Sequence, residues 1–168
     1  MKIKFSAIVM ALAIMAALSS CSKKSTEVSK ASAYVNYETV CMGVERDGSQ
    51  TLRVWGKGST QADAIEQAKK NAVYDVLFNG IRGTGECERR PLVPEVNARE
   101  RYGKYFNPFF ADGGEYGKFV KEESANEASR LVAKGSSIYN LGVLVTVDRE
   151  GLRNQLERDG ILAPGSTH

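Results

Sequence analysis

Histidine is nearly missing from this chain: its single copy is His168, the last residue. A Ser-His-Asp or Cys-His catalytic site would have to be built on that tail, where chains are poorly tied down. Cysteine is scarce as well, with Cys21, Cys41 and Cys87 the whole supply, so a zinc site would lack both sulfur and imidazole ligands. Neither a GxxxxGK[ST] nor a GxGxxG string occurs, which removes the common phosphate-cradling loops. No cofactor or metal is expected.

Charge of one sign is also in short supply, with 23 Lys and Arg against 20 Asp and Glu. The basic runs Lys23-Lys24 and Arg89-Arg90 are short and read as solvated surface. Nucleic acid is therefore not expected as a partner, because phosphate binding relies on clustered positive charge. Acidic pairs do occur at Glu86 and Glu88 and at Glu122 and Glu123. They sit in glycine-rich or charged text with no sign of the converging geometry that acid–base catalysis needs. Asp112 and Glu115 flank Gly113-Gly114 without the alternating oxygen ligands of a calcium loop. Gly56 to Thr60 precedes a helix and could attract an anion, yet it is too short for a phosphate loop and reads as a capped turn.

The chain does have one long apolar run, from Phe5 to Leu18, broken only by Ser6 and preceded by Lys2 and Lys4. It is shorter than the roughly 20 residues of a spanning helix and ends in small residues, as a cleavable signal does. Leu18-Ser19-Ser20-Cys21 resembles the lipobox of bacterial lipoproteins. That resemblance implies a signal peptide at residues 1–20, cut before Cys21, and a cysteine carrying several acyl chains, enough for stable attachment to a lipid bilayer. Losing Lys2 and Lys4 with the signal lowers the formal charge from +3 to +1. Ser22 stands where an aspartate would imply inner-membrane retention, and the stretch to Thr26 lacks acids. Together these imply an outer-membrane lipoprotein of the cell envelope that faces the periplasm. In that oxidising space Cys41 and Cys87 form either a disulfide or two unpaired apolar positions, since spacing does not fix a distance.

Residues 21–33 read as a lipidated, flexible Ser-Lys-Thr tether, residues 34–163 as one domain, and 164–168 as a tail. Tyr34 to Val44 is rich in β-branched and aromatic residues, Asp47-Gly48 signals a hairpin, and Leu52, Val54 and Gly56 alternate with Arg53, Trp55 and Lys57. A helix follows, opened by a capping box at Thr60 to Asp63. Its stripe of Ala64, Ile65, Ala68, Ala72, Val73, Val76 and Leu77 suits close approach to a sheet, and Asn79-Gly80 stops it. Residues 82–125 form an irregular insert, predicted to hold one short helix ending near Phe106 and another starting at Pro108 with Asn107 as its cap. A further turn is expected from Tyr116 to Lys121. Arg130 to Lys134 and Ile138 to Val147 read as strands around a Gly135-Ser136-Ser137 turn. Asp148 caps a last helix through Arg158, with Leu152, Leu156 and Ile161 inward and Gly160 as its stop. This ββα-insert-ββα order predicts an α+β two-layer sandwich, helices on one face of a largely antiparallel sheet.

Within the insert, Tyr102, Tyr105, Phe106, Phe109, Phe110, Tyr116 and Phe119 are interleaved with Arg99, Arg101, Lys104 and Lys118. They either line a groove for a peptide, a glycan or a partner's surface, or bury the insert against the sheet.

The run Thr51-Leu52-Arg53-Val54-Trp55-Gly56-Lys57-Gly58, the Ala62 to Val73 helix and Val147-Asp148-Arg149 carry a family resemblance. This text resembles a module of small outer-membrane lipoproteins and of the N-terminal domain of the flagellar assembly protein FlgT, with residues 82–125 as an insertion. The resemblance implies a non-enzymatic envelope role, either binding or structural, in an outer-membrane, secretion or appendage assembly. The other envelope proteins of such an assembly would be its partners. The alternative expectation is a periplasmic hydrolase acting on glycan or peptide through carboxylates.

Overall fold

The computed structural model describes residues 38–82, 86–87, 90–123, 131–133 and 138–165. The signal, Cys21, the tether, the start of the expected first strand at Tyr34, Glu88, Arg89, the Gly135 to Ser137 turn and His168 lie outside the described residues.

Two strands open the domain, β1 (Val40–Val44) and β2 (Gln50–Gly58), paired antiparallel. Asp47-Gly48 lies in their hairpin, but the loop has three residues rather than two. Gly48 N–H donates to the Glu45 carbonyl at 3.0 Å, and Glu45 N–H donates to the Ser49 carbonyl at 2.8 Å. Gly48 sits at φ +85°, the left-handed position that closes such a loop. Pairing slips between Cys41 and Gly43, so Met42 is the extra residue of a bulge.

The long strand β5 (Tyr139–Val147) lies beside β2 in unbroken antiparallel register, from Gln50 opposite Val147 to Gly58 opposite Tyr139. Two short strands, β3 (Val120–Glu122) and β4 (Leu131–Ala133), follow one another along its other edge. The sheet order is β1-β2-β5-β3, with β4 also beside β5. The one parallel contact among the described residues outside that sheet is a bridge between Val40 and Arg82.

One sheet face carries Leu52, Val54, Leu141, Val143, Val145 and Val147, all buried. Helix α1 (Gln61–Tyr74) lies across it. Its capping box forms as predicted: Asp63 N–H donates to Thr60 Oγ1 at 3.1 Å, and Thr60 N–H donates to Asp63 Oδ2 at 3.0 Å. Ala64, Ala68 and Ala72 are fully buried. The approach is closer than small helix residues alone allow. A Cβ on Gly56 would stand 1.9 Å from the Ala64 carbonyl oxygen and 2.4 Å from the Ala68 nitrogen. Glycine in the strand and alanine in the helix together set the layer spacing.

The helix widens into a π turn over Asp75–Asn79, and Gly80 N–H returns to the Asp75 carbonyl at 2.7 Å. The turn leaves the Val76 and Leu77 carbonyls without helical partners. Leu92 and Val93, from the insert, supply N–H groups to them at 3.0 and 2.8 Å. The insert is thereby bonded to the end of α1.

Inside the insert the structure corrects two expectations. The helical break falls at Tyr102, not at Asn107-Pro108. Helices α2 (Ala98–Arg101) and α3 (Gly103–Phe109) meet there, and Pro108 lies inside α3 near its end. So late in a seven-residue helix the proline removes only one intrahelical bond, while Phe106 and Phe109 on either side of it are buried. The second correction is β3, where a turn had been expected to reach Lys121. A 3₁₀ turn over Glu115–Phe119 passes directly into that strand. Helix α4 (Arg149–Arg158) closes the chain after the Asp148 cap, whose carboxylate accepts from Gly151 N–H at 2.7 Å. Leu152 and Leu156 enter the common core, Ile161 packs against it, and Gly160 ends the helix at φ +70°. The fold is an α+β two-layer arrangement on an antiparallel sheet.

Candidate functional site

A disulfide joins Cys41 on β1 to Cys87 in the insert, with Cα atoms 5.8 Å apart. Both cysteines are buried. This resolves the alternative left open by spacing. It also pins the insert to the sheet at the end remote from its aromatic residues.

Those aromatic residues divide into two groups. Phe106, Phe109 and Tyr116 are 0 %, 3 % and 0 % exposed, so they belong to the core rather than to a partner-facing surface. Phe106 is the hub, edge-on to Phe78 at 4.9 Å and to Tyr105 at 5.0 Å. Such edge-to-face pairs contribute about 0.5–1.5 kcal/mol each beyond area burial. Tyr102, Tyr105, Phe110 and Phe119 pack on this hub while remaining half-buried. Arg99 lies over the Phe110 ring at 5.9 Å and Arg101 over Tyr102 at 5.5 Å, which explains the interleaving of base and ring. Of the seven rings, then, four retain a surface on which a partner could rest.

Between α3, the 3₁₀ turn and the flank of α1 lies a cleft of about 770 Å³. Its walls include Tyr105, Phe109 and Tyr116, with Lys104, Glu115 and Lys118 at the rim and Glu66 on the α1 side. Gly113, at φ +71°, turns the chain at its edge. Tyr116 spans the cleft floor: its hydroxyl donates to Glu66 and its ring lies under the Lys70 ammonium at 5.5 Å. Burial, then the Glu66 hydrogen bond and charge, push the Tyr116 hydroxyl far above the ordinary tyrosine range. Glu66 experiences opposing effects. Partial burial pushes its carboxyl up, but hydrogen bonds from Lys69 and Tyr116 and the charges of Lys69 and Lys70 outweigh it and leave the group below its ordinary value. At the other wall Tyr105 donates to Asp159 at 2.7 Å. Burial and that carboxylate raise the Tyr105 hydroxyl, while the Tyr105 hydrogen bond lowers Asp159.

Chemically this is a fixed, amphipathic wall. In its lining Glu115 pairs with Lys118 at 2.7 Å and Glu66 with Lys69 at 2.6 Å, and beside it Asp112 pairs with Lys70 at 2.5 Å. The Asp112 and Glu115 carboxylates are thus spent on lysines, and among the described residues no group of three His, Cys, Asp or Glu side chains could hold a metal ion. Glu122 and Glu123 are exposed neighbours at the end of β3, Glu123 accepting from the Thr146 hydroxyl. At Gly56 to Thr60 the helix end is closed by its own cap. Sequence reasoning overlooked Glu66, because an exposed-looking glutamate on α1 carries no sign of a tyrosine arriving from fifty residues away.

The chain matches no protein-family model, no curated protein and no solved structure. The site therefore has to be read from its own chemistry.

Proposed function

We propose that this chain is a membrane-anchored, non-enzymatic lipoprotein of the bacterial envelope, a binding or structural accessory in an outer-membrane, secretion or appendage assembly. The observation that carries the binding half of this reading is the cleft between α1 and the insert. It offers ring surface from Tyr105, backed by the buried Phe109 and Tyr116 and framed by Lys104, Glu115 and Lys118. A wall of that kind suits a segment of a partner protein: apolar side chains rest on the rings, and polar groups meet the charged rim. The anchoring half rests on the lipobox resemblance at Cys21, and the outer-membrane, periplasm-facing address on Ser22 and the acid-free stretch after it.

One observation favours the hydrolase reading, namely that Glu66 and Glu115 line the same cleft. A glycosidase or related enzyme needs one of two such acids protonated near neutrality. Glu66 is held ionised instead, and Glu115 bonds Lys118, so the pair supports binding better than proton transfer.

The test places a photo-crosslinking residue at Tyr105 or Phe119 in the full chain, in cells. On our reading it captures a discrete envelope protein, and the Lys104→Glu, Lys118→Glu double substitution removes that product. Absence of any such product at both positions would overturn the partner reading. Hydrolysis of a cell-wall glycan or peptide by the purified chain, lost in Glu66→Gln or Glu115→Gln, would establish the enzyme instead.

A further inference from the structure

Most of the lining of the cleft between α1 and the insert is accounted for by the chain itself. It holds three glycines, Gly113, Gly114 and Gly117. Gly113 sits at φ +71°, and a Cβ on Gly114 would stand 2.4 Å from the Phe109 carbonyl oxygen. Backbone conformation calls for the first glycine and close packing for the second. Among the charged groups, Glu66 bonds Lys69 and Tyr116, and Glu115 pairs with Lys118. Two lining residues have no such reason within the fold. A Cβ on Gly117 would meet nothing within 4 Å, and its φ lies outside the left-handed region. Lys104 is exposed and has no ion pair or hydrogen bond with any described residue.

Resting on the partner-binding reading of this cleft, we propose that Lys104 and Gly117 serve its occupant, and that the occupant is an acidic segment of a partner protein. A carboxylate side chain of that segment meets the Lys104 ammonium. A large apolar neighbour lies against Tyr105, in the room that Gly117 leaves.

Tyr105 is a surface prepared for that contact. Its hydroxyl donates to Asp159 at 2.7 Å and its ring stacks on Phe109 at 5.9 Å, so it loses little freedom on binding. Backed by the buried Phe109 and Tyr116, the ring takes an apolar side chain well. Charge decides the other half. A lone ammonium is a compact point charge that one carboxylate balances, whereas a phosphate dianion beside it would keep a charge uncompensated. Sugar hydroxyls need free acceptors, and both carboxylates of the lining are already engaged by lysines. The cleft therefore favours an acidic peptide over a phosphate group and over a glycan.

The full chain, in cells, carries a photo-crosslinking residue at Pro108, an exposed position of the cleft wall outside the proposed contacts. Mass spectrometry of the captured product locates the partner residue that is reached. An Asp or Glu next to a large apolar residue is expected close to that site. Lys104→Gln should lower capture about tenfold, the effect of losing one charge-assisted contact. Gly117→Leu should abolish capture by filling the open room, and Glu115→Gln, which releases Lys118, should raise it. An unchanged melting curve accompanies each variant. The decisive arm exchanges the signs: Lys104→Glu loses the product, and lysine in place of the partner's acid restores it. A partner captured with no acid nearby, or captured equally well by Lys104→Gln and Gly117→Leu, would overturn the acidic segment and leave the partner reading standing. Crosslinking to a glycan strand, or no product at Pro108, Tyr105 and Phe119 alike, would overturn both.

Discussion

At the scale of single residues, the Tyr116–Glu66 contact ties a core ring of the insert to the flank of α1. It couples the 3₁₀ turn to α1 through a hydroxyl and a carboxylate, each shifting the other's titration. Replacing Tyr116 by Phe keeps the ring in its buried place and removes one charge-assisted hydrogen bond. We expect a loss of about 1–2 kcal/mol, read from urea unfolding. The Glu66 carboxyl is lowered from its ordinary value of 4.5, so its contribution is present above that pH and is lost as the pH falls through the lower, folded-state value. Unfolding curves of wild type and Glu66→Gln should therefore differ most near neutrality and converge in acid. Curves that stay parallel down to about pH 3 would remove Glu66 from the account of acid stability. None of this coupling is legible in the sequence. Thr60, Asp63, Asp148 and Gly160 act within a few residues of themselves, so sequence reveals them; Glu66 acts on a chain segment fifty residues distant.

The elements repeat that distinction. Strand β2, helix α1, strand β5 and helix α4 each carry their own period and cap, and they fold as their text predicts. Strand β3 does not, since Val120-Lys121-Glu122 is too short and too charged to show alternation. It is a strand because β5 offers it an edge, a case of tertiary context overriding propensity. The helical break likewise falls at Tyr102 and not at the proline, which sits late in α3 between the buried Phe106 and Phe109. Contact between elements is where the alanine stripe tells only half the story. Gly56 supplies the other half, and a methyl group there would collide with the α1 backbone. Gly56→Ala should cost about 3 kcal/mol, because backbone must move to admit the group. Gly43→Ala is the matched control: nothing lies within 4 Å of its would-be Cβ, so its midpoint should shift by less than about 0.5 kcal/mol. Equal costs at both glycines would mean that strand propensity, not layer spacing, governs the position.

At the scale of the whole molecule, the disulfide and the proposed anchor make separable contributions. The Cys41–Cys87 bridge spans a sequence separation of 46 residues. Closing a loop of that size removes about 4 kcal/mol of unfolded-state entropy in the chain-entropy model. The Cys41→Ala, Cys87→Ala chain should lose stability of that order, and more from the insert than from the β2–β5 pair, which shares nine residues of unbroken register. Hydrogen exchange resolves the two: faster exchange confined to the insert fits, whereas uniform acceleration does not. Cys21 is a different matter, because on the proposed reading it supplies location and no folding energy. Cys21→Ala should leave the melting curve of the domain unchanged and abolish incorporation of labelled palmitate. The same substitution should also end capture of the partner by a crosslinker at Tyr105 in cells, while purified partner and purified chain still associate. That combination would show that the anchor works by raising local concentration at the membrane surface rather than by shaping the cleft. Capture that survives loss of the acyl group would mean the cleft finds its partner unaided, and the membrane would then need a different explanation.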